Sequence, residues 1–352
     1  MTARVRQTPR LAARRLVLRW ILSLPTPILR LMSGGQAVYR GGRTLDPRLQ
    51  FLAARAAAHP PLNAMTPEAA RRAFAEGFGL LSTVGDSQVK CENLSFQGPR
   101  GATPARAYRP PGQNPEAPLL VYAHMGGGVV GDLETCDAFC ALLARAARCP
   151  VLSVDYALAP EHRFPAGLQD VLAAYRWGRD NAEHFGAPPA QAAIGGDSMG
   201  GNFAAVVCRL LRRAGEPQPA LQLLIYPFVD AACERPSMTF NANAFPLSRA
   251  LMDWFADQYI GPGDGPADPR LSPLREPDLA GLAPAIVATA GFDPLLDQGF
   301  DYARRLREAG VPVVYRAYDN LAHGFTSFTG AVPAADVACR EIAALVREAL
   351  AA

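Results

Sequence analysis

One serine stands in a pattern that is typical of nucleophilic hydrolases. Residues 196–201 read Gly-Asp-Ser-Met-Gly-Gly and fit G-x-S-x-G around Ser198. A short apolar run ends at Gly196 and a helical pattern begins after Ser198, and on such a strand-to-helix turn this motif holds an exposed nucleophile. The sequence therefore predicts Ser198 as a nucleophile. The alternative is a glycine-rich turn that only packs a helix against a strand.

A serine nucleophile needs a base, and the order of residues along the chain limits the choice. In strand–turn–helix sites of this kind, the histidine follows the serine in the sequence. Of the five histidines, only His323 lies after Ser198. It falls in a loop after a predicted strand that ends near Tyr318, so the sequence predicts His323 as the general base.

The acid that orients this histidine should lie between the two, at the end of a strand. Asp293 follows the apolar run 285–290, where a carboxylate can hold the imidazole in one tautomer and stabilise its charged form. Asp297 lies four residues later and is expected to cap or open the next helix. Asp293 is the predicted acid, with Asp297 and then Asp319 as alternatives.

A glycine loop is predicted to supply the N–H groups that bind an oxyanion. Residues 124–128 read His-Met-Gly-Gly-Gly and come at the end of the apolar run 119–124, which is where such hydrolases place this loop. A phosphate-binding loop is excluded, because no Gly-Lys-Ser/Thr is present and the G-x-G-x-x-G pattern is not met. His124 is interpreted as an anchor of the loop rather than as a base.

These residues need a scaffold that brings strand ends together. Short apolar runs alternate with helical patterns, as in a doubly wound parallel sheet. The predicted strands are residues 88–96, 105–108, 119–124, 151–154, 192–196, 221–226, 285–290 and 313–318, and the main helices are residues 135–147, 168–182, 202–213 and 334–350. Residues 45–85 predict two short helices around His59-Pro60-Pro61, the second opened by Thr66. The proline-rich stretch 231–280, with one helix near 249–259, is predicted to be an insertion over the sheet edge.

With these residues in view, the sequence resembles the hormone-sensitive-lipase family of α/β-hydrolases, which is family IV of the bacterial esterases. The resemblance covers residues 45–350 and rests on six blocks in the family's order. These blocks are residues 124–135, 155–166 (Asp-Tyr-Ala-Leu-Ala-Pro-Glu-His-Arg-Phe-Pro-Ala), 196–201, 224–227 (Leu-Ile-Tyr-Pro), 293–295 (Asp-Pro-Leu) and 323–325 (His-Gly-Phe). The resemblance implies an α/β-hydrolase fold, with a mostly parallel eight-stranded sheet, helices on both faces and a helical cap.

The resemblance also implies roles for individual residues. The catalytic residues that match the family's triad are Ser198, Asp293 and His323, in agreement with the choice made from the residues alone. The oxyanion-hole donors that match are Gly126, Gly127 and Met199. The residues expected to support the oxyanion loop are His124, Glu161 and Arg163. Leu251, Trp254 and Phe255 lie along the predicted cap helix and are candidates for an acyl pocket.

The resemblance divides the chain into five parts. They are a basic amphipathic N-terminal extension (1–43), the N-terminal part of the cap (44–85), the first part of the hydrolase core (86–230), the cap insertion (231–280) and the second part of the core (281–352). The family pattern does not reach residues 1–43, so nothing transfers to them.

Two positions of the glycine loop depart from the family. Met125 stands where the family has its first loop glycine, and Gly128 stands where it has an aromatic residue. The backbone donors should survive, although Met125 would be strained if its φ were positive. Loss of the aromatic residue predicts a wider site, and Met199 adds bulk beside the nucleophile.

The predicted function is that of a serine carboxylesterase that hydrolyses short- to medium-chain acyl esters through an acyl-enzyme. One alternative is the same machinery acting on amides, lactones or carbonates. Another is a non-catalytic ligand receptor on the same fold, but such receptors typically lose the triad histidine and His323 is present. The expected partner is a small-molecule ester.

Composition excludes several other classes of protein. The chain has 352 residues, 49% of them apolar and 19% charged, with a net charge of +3. This balance excludes a disordered or collagen-like chain and a membrane channel, and it gives no reason to expect a nucleic-acid partner. Seven cysteines without a CxxC pair predict reduced, mostly buried thiols and a cytoplasmic location. No metal and no cofactor are expected, and the sequence leaves open whether the chain forms a homodimer.

Residues 1–43 join a run of arginines to an apolar stretch. Arg4, Arg6, Arg10, Arg14, Arg15 and Arg19 precede or interrupt an apolar run that is also broken by two prolines. This pattern lacks the unbroken apolar core and cleavage site of a secretory signal. It predicts an amphipathic segment that packs on the protein or makes a peripheral contact with a membrane surface.

Overall fold

The structure is a computed structural model that describes residues 9–83 and 85–351. Arg4 and Arg6 of the basic N-terminal pattern lie outside the described residues. Every strand and triad residue that the sequence predicts falls inside them.

One large sheet carries the site. Its strands are β3 (Lys90–Gly98), β4 (Gly101–Arg109), β5 (Leu119–Ala123), β6 (Val151–Val154), β7 (Ala192–Asp197), β8 (Gln222–Ile225), β9 (Ala285–Phe292) and β10 (Val313–Ala322). They are hydrogen-bonded in the order β10-β9-β8-β7-β5-β6-β4-β3, and only the pairs β3–β4 and β4–β6 are antiparallel. The predicted eight-stranded, mostly parallel sheet is confirmed. The two smaller strands β1 (Tyr39–Arg40) and β2 (Arg43–Thr44) pair with each other away from this sheet.

Helices cover both faces of the sheet because the strands are apolar on both sides. In β5 every residue is buried, and successive side chains enter two separate apolar clusters, as the alternation of side chains along a strand requires. One cluster packs against α6 (Ala166–Asp180), α7 (Met199–Arg213) and α10 (Leu296–Glu308), and the other against α5 (Asp137–Ala147) and α11 (Pro333–Ala351). None of the seven cysteines, which all lie in the described residues, is in a disulfide, and all but Cys91 and Cys233 are buried.

The segment before the sheet is helical. It contains α1 (Pro9–Leu22), α2 (Thr26–Leu31), α3 (Pro47–Ala56) and α4 (Pro67–Leu81), with a 3₁₀ turn at Leu62–Ala64. The two helices predicted in residues 45–85 are confirmed as α3 and α4, and Thr66 accepts a hydrogen bond from the Ala69 N–H at the start of α4. None of the described helices is long and apolar enough to cross a membrane.

The stretch between β8 and β9 folds over the carboxyl ends of the strands. It contains α8 (Pro236–Phe240), α9 (Arg249–Tyr259) and a 3₁₀ turn at Pro273–Arg275. Ser248 caps α9 by accepting a hydrogen bond from the Leu251 N–H, and the helix ends before Pro262. The predicted helix at 249–259 is confirmed with the same bounds.

Candidate active site

Ser198 lies on a strained turn between β7 and α7. Its φ of +56° is in the region that side chains rarely adopt, and its N–H donates to the Ile225 carbonyl at 2.9 Å. The turn requires glycine on both sides. A Cβ on Gly196 would stand 2.4 Å from the Gly200 carbonyl carbon, and a Cβ on Gly200 would stand 2.0 Å from the Ala123 carbonyl oxygen. The G-x-S-x-G spacing is therefore a steric demand of the turn.

The three residues predicted as a triad are in hydrogen-bonded contact. His323 Nε2 lies 3.0 Å from Ser198 Oγ, and His323 Nδ1 lies 2.7 Å from Asp293 Oδ2. Asp293 directly follows β9 and His323 directly follows β10, so two neighbouring parallel strands end beside the nucleophile. All three side chains are buried. This is the geometry that lets a neutral imidazole take a proton from a serine while a carboxylate fixes its tautomer.

The two alternative acids are placed elsewhere. Asp297 lies in the first turn of α10 and accepts a hydrogen bond from the Ser237 N–H, so it joins α10 to α8. Asp319 is exposed and forms an ion pair with Arg43 at 2.7 Å. Both carboxylate oxygens of Asp293 are hydrogen-bonded instead. Oδ2 contacts His323 Nδ1, and Oδ1 accepts from the Leu295 N–H.

Asn241 supports the acid from the insertion. Its side-chain amide donates to the carbonyls of Gly291 and Asp293, at 3.1 and 3.0 Å. Sequence reasoning missed this residue, because nothing in the sequence around Asn241 distinguishes it from other loop asparagines. The insertion therefore helps to position the end of β9.

A buried polar cluster lies behind the triad. Tyr226 and Thr326 both donate hydrogen bonds to Asp197 Oδ2, at 2.8 and 3.0 Å. The Tyr226 ring lies 4.7 Å from the His323 ring, centroid to centroid. Burial raises the pKa of the Asp197 carboxyl, and the hydrogen bonds oppose that rise. The cluster supports one face of the imidazole.

The glycine loop presents its backbone to the nucleophile. Gly126 and Gly127 have φ values of +125° and +63°, and the Gly126 carbonyl is turned away to accept from the N–H groups of Val129 and Val130. Among the described residues, the N–H groups of Gly126 and Gly127 have no acceptor. Met199 is the first residue of α7, where a helix leaves its N–H groups free. Gly126, Gly127 and Met199 line the same cavity as Ser198.

His124 lies under the loop. Its ring stacks on Tyr156 at 4.2 Å, its Nδ1 lies 2.7 Å from the Met125 carbonyl oxygen, and the Tyr156 hydroxyl donates to the His124 carbonyl. Burial lowers the pKa of His124, which keeps the ring neutral. A Cβ at Gly131 would stand 2.5 Å from the His124 ring, so the loop is closed tightly around this side chain.

Glu161 reaches the loop through a residue that sequence reasoning missed. It accepts two hydrogen bonds from Arg71, at 2.8 and 2.6 Å, and this lowers the pKa of Glu161 to about 2. Arg71 also donates to the carbonyls of Val129 and Ala159, at 2.9 and 2.8 Å. The Ala159 N–H in turn donates to the Gly128 carbonyl. Arg71 therefore contacts both the glycine loop, at Val129, and the neighbouring segment that is hydrogen-bonded to it, at Ala159. An arginine on a helix surface gives no sequence signal for such a role.

Arg163 does not brace the oxyanion loop as expected. It donates to the carbonyls of Asp257 and Ile260, at 2.9 and 2.8 Å. These carbonyls lie at the C-terminal end of α9, where a cation is favourable because the last carbonyls of a helix are unpaired. Arg163 therefore fixes α9, whose Phe255 and Tyr259 rings lie against the loop glycines Gly127 and Gly128.

The two departures in the loop have structural explanations. Met125 is not among the non-glycine residues with positive φ, so the expected strain does not arise, and its side chain lines the cavity beside Ser198. At Gly128 the expected widening is not found. The ring of Tyr259, from α9, occupies the space, and a Cβ on Gly128 would stand 2.7 Å from it.

A cavity of about 360 Å³ lies next to Ser198 and His323. Phe74 and Phe78 of α4 line it together with residues of the insertion. Its wall is mostly apolar, and four charged groups complete it, one directly before the insertion and three within it. They are Asp230, Glu234, Arg249 and Asp253, of which Glu234 and Asp253 both pair with Arg249.

The predicted acyl-pocket residues separate into two groups. Leu251 and Phe255 line the cavity, and the Phe255 ring lies against Gly127. Trp254, expected in the same pocket, does not line it. It packs beside Phe255, at 5.4 Å between ring centroids, in the apolar contact between α9 and the residues around Leu62. Trp254 therefore belongs to the packing of the cap, because successive residues of a helix point about 100° apart.

Comparisons with known proteins agree with this architecture. A family model described as an alpha/beta hydrolase fold matches residues 120–327. The carboxylic ester hydrolase LipN of Mycobacterium tuberculosis is 45% identical to the chain over 88% of the chain and 83% of its own length. The ethyl acetate hydrolase of Pseudomonas putida is 38% identical, over 78% of the chain and 88% of its own length.

A solved structure also matches most of the chain. The Ser161Ala mutant of LAE6, an alpha/beta hydrolase enzyme from the metagenome of Lake Arreo, superposes with a TM-score of 0.84 at 42% identity, covering 88% of the chain and 99% of that protein. The family model covers more than half of the chain, and the relatives cover most of the rest. The chain therefore belongs to the α/β-hydrolase family, in the hormone-sensitive-lipase-like branch that its sequence resembles.

Proposed function

We propose that the chain is a serine carboxylesterase that hydrolyses short- to medium-chain acyl esters. The observation that carries the proposal is the hydrogen-bonded series Ser198–His323–Asp293 beside an apolar cavity. The relatives named as ester hydrolases support the same reaction class.

The chemistry follows from the contacts. His323 Nε2 accepts the proton of Ser198 Oγ, and the oxygen attacks the ester carbonyl. The N–H groups of Gly126, Gly127 and Met199 stabilise the oxyanion, since they are fixed before the reaction begins. His323 then gives its proton to the leaving alcohol. A water molecule repeats the sequence on the acyl-enzyme and releases the carboxylic acid.

The cavity supports a limit on acyl length. Its volume of about 360 Å³ is near the lower end of the range for small-molecule sites. Leu62 and Phe74, from residues 44–85, line it together with Leu251 and Phe255, from residues 231–280, and Leu62 packs in one apolar cluster with Leu251 and Phe255. These contacts support our assignment of the two segments as the cap, which leaves room for a short to medium acyl chain.

The proposal is tested with p-nitrophenyl esters from acetate to palmitate, with Ser198→Ala as the control for chemistry outside the site. We expect the highest kcat/KM among butyrate and hexanoate esters and a steep fall at palmitate. Highest turnover of palmitate would contradict the acyl-length limit. Comparing an ester with the amide of the same acid separates an esterase from an amidase, because the machinery alone permits both.

A further inference from the structure

Charge is distributed very unevenly along this chain. Residues 1–45 contain nine arginines and no Asp or Glu. The other 307 residues contain 26 Lys or Arg against 32 Asp or Glu. The small net charge of the chain therefore hides a strongly basic N-terminal segment attached to an acidic body.

The same segment exposes most of the large apolar side chains that face solvent. Seven of the ten such residues in the described part of the chain lie between residues 16 and 39. They include Leu16, Val17 and Trp20 of α1, which are 68%, 59% and 67% exposed, and Leu31 of α2, which is 78% exposed. Large apolar side chains clustered in this way mark a contact surface.

Helix α1 has an inner face and an outer face. On the inner face Arg15 donates to the Gly79 carbonyl of α4, and Leu22 is buried. Leu16, Val17 and Trp20 lie on the outer face, because residues three and four apart share a side of a helix. Helix α1 thus packs on the protein, which is one of the two arrangements that the sequence predicts for this segment. It also presents an apolar strip to the solvent.

Arginines border this strip on both sides. At about 100° per residue, Arg14 and Arg19 stand at opposite edges of the outer face of α1, and the guanidinium of Arg19 lies beside Gly330. Both are exposed, and neither forms an ion pair with a described residue. An apolar strip edged by unpaired cations is the pattern of a helix that lies in the interface of a membrane.

We propose that the outer face of α1, extended by α2, is a docking surface for a bilayer that contains anionic lipids. Trp20, Leu16 and Val17 enter the interface, and Arg14 and Arg19 contact the phosphate headgroups. The inner face keeps its contacts with α4 throughout, so the segment does not need to unfold.

Charge favours a bilayer over a second copy of the chain as the occupant. In a two-fold symmetric contact the same patch meets itself. The contact would then bring two arginine-edged strips together with no acidic residue in either segment to compensate. An anionic surface instead complements the arginines and accepts the apolar side chains in one contact.

The surface lies close to the candidate active site. Helix α4 receives Arg15 of α1 at the Gly79 carbonyl, and Phe74 and Phe78 of the same helix line the cavity beside Ser198. Docking through α1 would therefore hold the cavity near the lipid surface. The docking proposal itself does not depend on which reaction the site performs.

The test is sedimentation of the full chain with vesicles of phosphatidylcholine alone or mixed with phosphatidylglycerol. We expect at least about tenfold tighter binding to the mixed vesicles, and a blue shift of Trp20 emission that Trp20→Phe removes. Leu16→Ser with Trp20→Ser should weaken this binding at least about tenfold. Arg14→Gln with Arg19→Gln should remove the preference for the anionic vesicles. The matched control is Val337→Ser, at an equally exposed apolar position on α11.

Hydrolysis of a soluble ester and light scattering accompany each measurement. Every variant should keep wild-type turnover, because none of these residues touches the active site. Equal binding of the wild type to both vesicle types overturns the proposal. It is also overturned if the Leu16 and Trp20 variant binds as well as the wild type, or if the wild type is a dimer that this variant dissociates. If the Leu16 and Trp20 variant does not fold, the Arg14 and Arg19 variant decides the question alone. The proposal is then overturned if that variant still binds the anionic vesicles as much more tightly as the wild type does.

Discussion

The ring of Tyr259 lies against Gly128 so closely that a Cβ at position 128 would stand 2.7 Å from Tyr259 Cδ2. The glycine belongs to the glycine loop after β5 and the tyrosine is the last residue of α9. The family that the sequence resembles has an aromatic residue at this loop position, and here a ring reaches it from α9. The glycine loop and α9 are thereby joined beside the cavity, which Tyr259 lines.

This contact predicts a coupling between the two positions. Gly128→Ala should lower kcat/KM at least about tenfold, because the new Cβ displaces the ring and Gly128 has a φ of +73°. In a Tyr259→Ala background the same change should cost much less, since only the backbone strain of about 1 kcal/mol is left. A matched control is Gly215→Ala, which has a φ of +67° and nothing within 4 Å of its Cβ. Equal losses in both backgrounds would refute the coupling.

Replacement of the triad residues should nearly abolish turnover. We expect Ser198→Ala, His323→Ala and Asp293→Asn each to lose about a thousandfold or more in kcat, because a triad acts as a unit. The loss for Asp293→Asn should be the smallest. Asp297→Asn and Asp319→Asn are matched controls, since these carboxylates lie in other contacts, and both should keep most of the activity. Near-native activity of His323→Ala would exclude the proposed mechanism.

Arg71 should act on catalysis without touching the substrate. Arg71→Met removes hydrogen bonds to the carbonyls of Val129 and Ala159, so the oxyanion donors lose their fixed positions. We expect kcat to fall about tenfold or more with little change in KM, because the donors act on the transition state. Glu161→Gln should show a smaller loss. Arg72→Met, one residue along the same helix and exposed, should behave as the wild type, and equal losses in the Arg71 and Arg72 variants would contradict this role.

The sequence was sufficient for the parts of the site that follow from local geometry. Ser198 is fixed by a turn that only glycine neighbours permit, and His323 and Asp293 follow from the order of strand ends in a parallel sheet. Such constraints act between residues that are close in sequence or on neighbouring strands. They therefore leave a pattern of residue types and spacings that can be recognised in the sequence itself.

The parts that could not be predicted depend on contacts between distant segments. Arg71 is 58 residues from Val129, and Tyr259 is far from Gly128 in the chain. Neither position differs in residue type from an ordinary helix surface or core. Trp254 and Phe255 show the same limit, because adjacent aromatic residues on one helix cannot be assigned to cavity or packing until the rotation of that helix is known.

Stability should depend on pH through Asp155. Burial, together with the nearby Asp132 carboxylate, raises the pKa of Asp155 to about 6, whereas in an unfolded chain an Asp titrates near 3.9. Between these values the folded protein holds a proton that the unfolded chain has lost. The free energy of unfolding therefore decreases as the pH rises from about 4 to above 6, by at most about 3 kcal/mol from this group.

Asp155→Asn cannot ionise, so its Tm advantage over the wild type should be small at pH 4 and should grow through pH 6 to a plateau. Thermal unfolding of both proteins across this range measures the difference, with Asp278→Asn, at an exposed position, as the control. A difference in Tm that stays constant with pH would show that folding does not raise the pKa of Asp155.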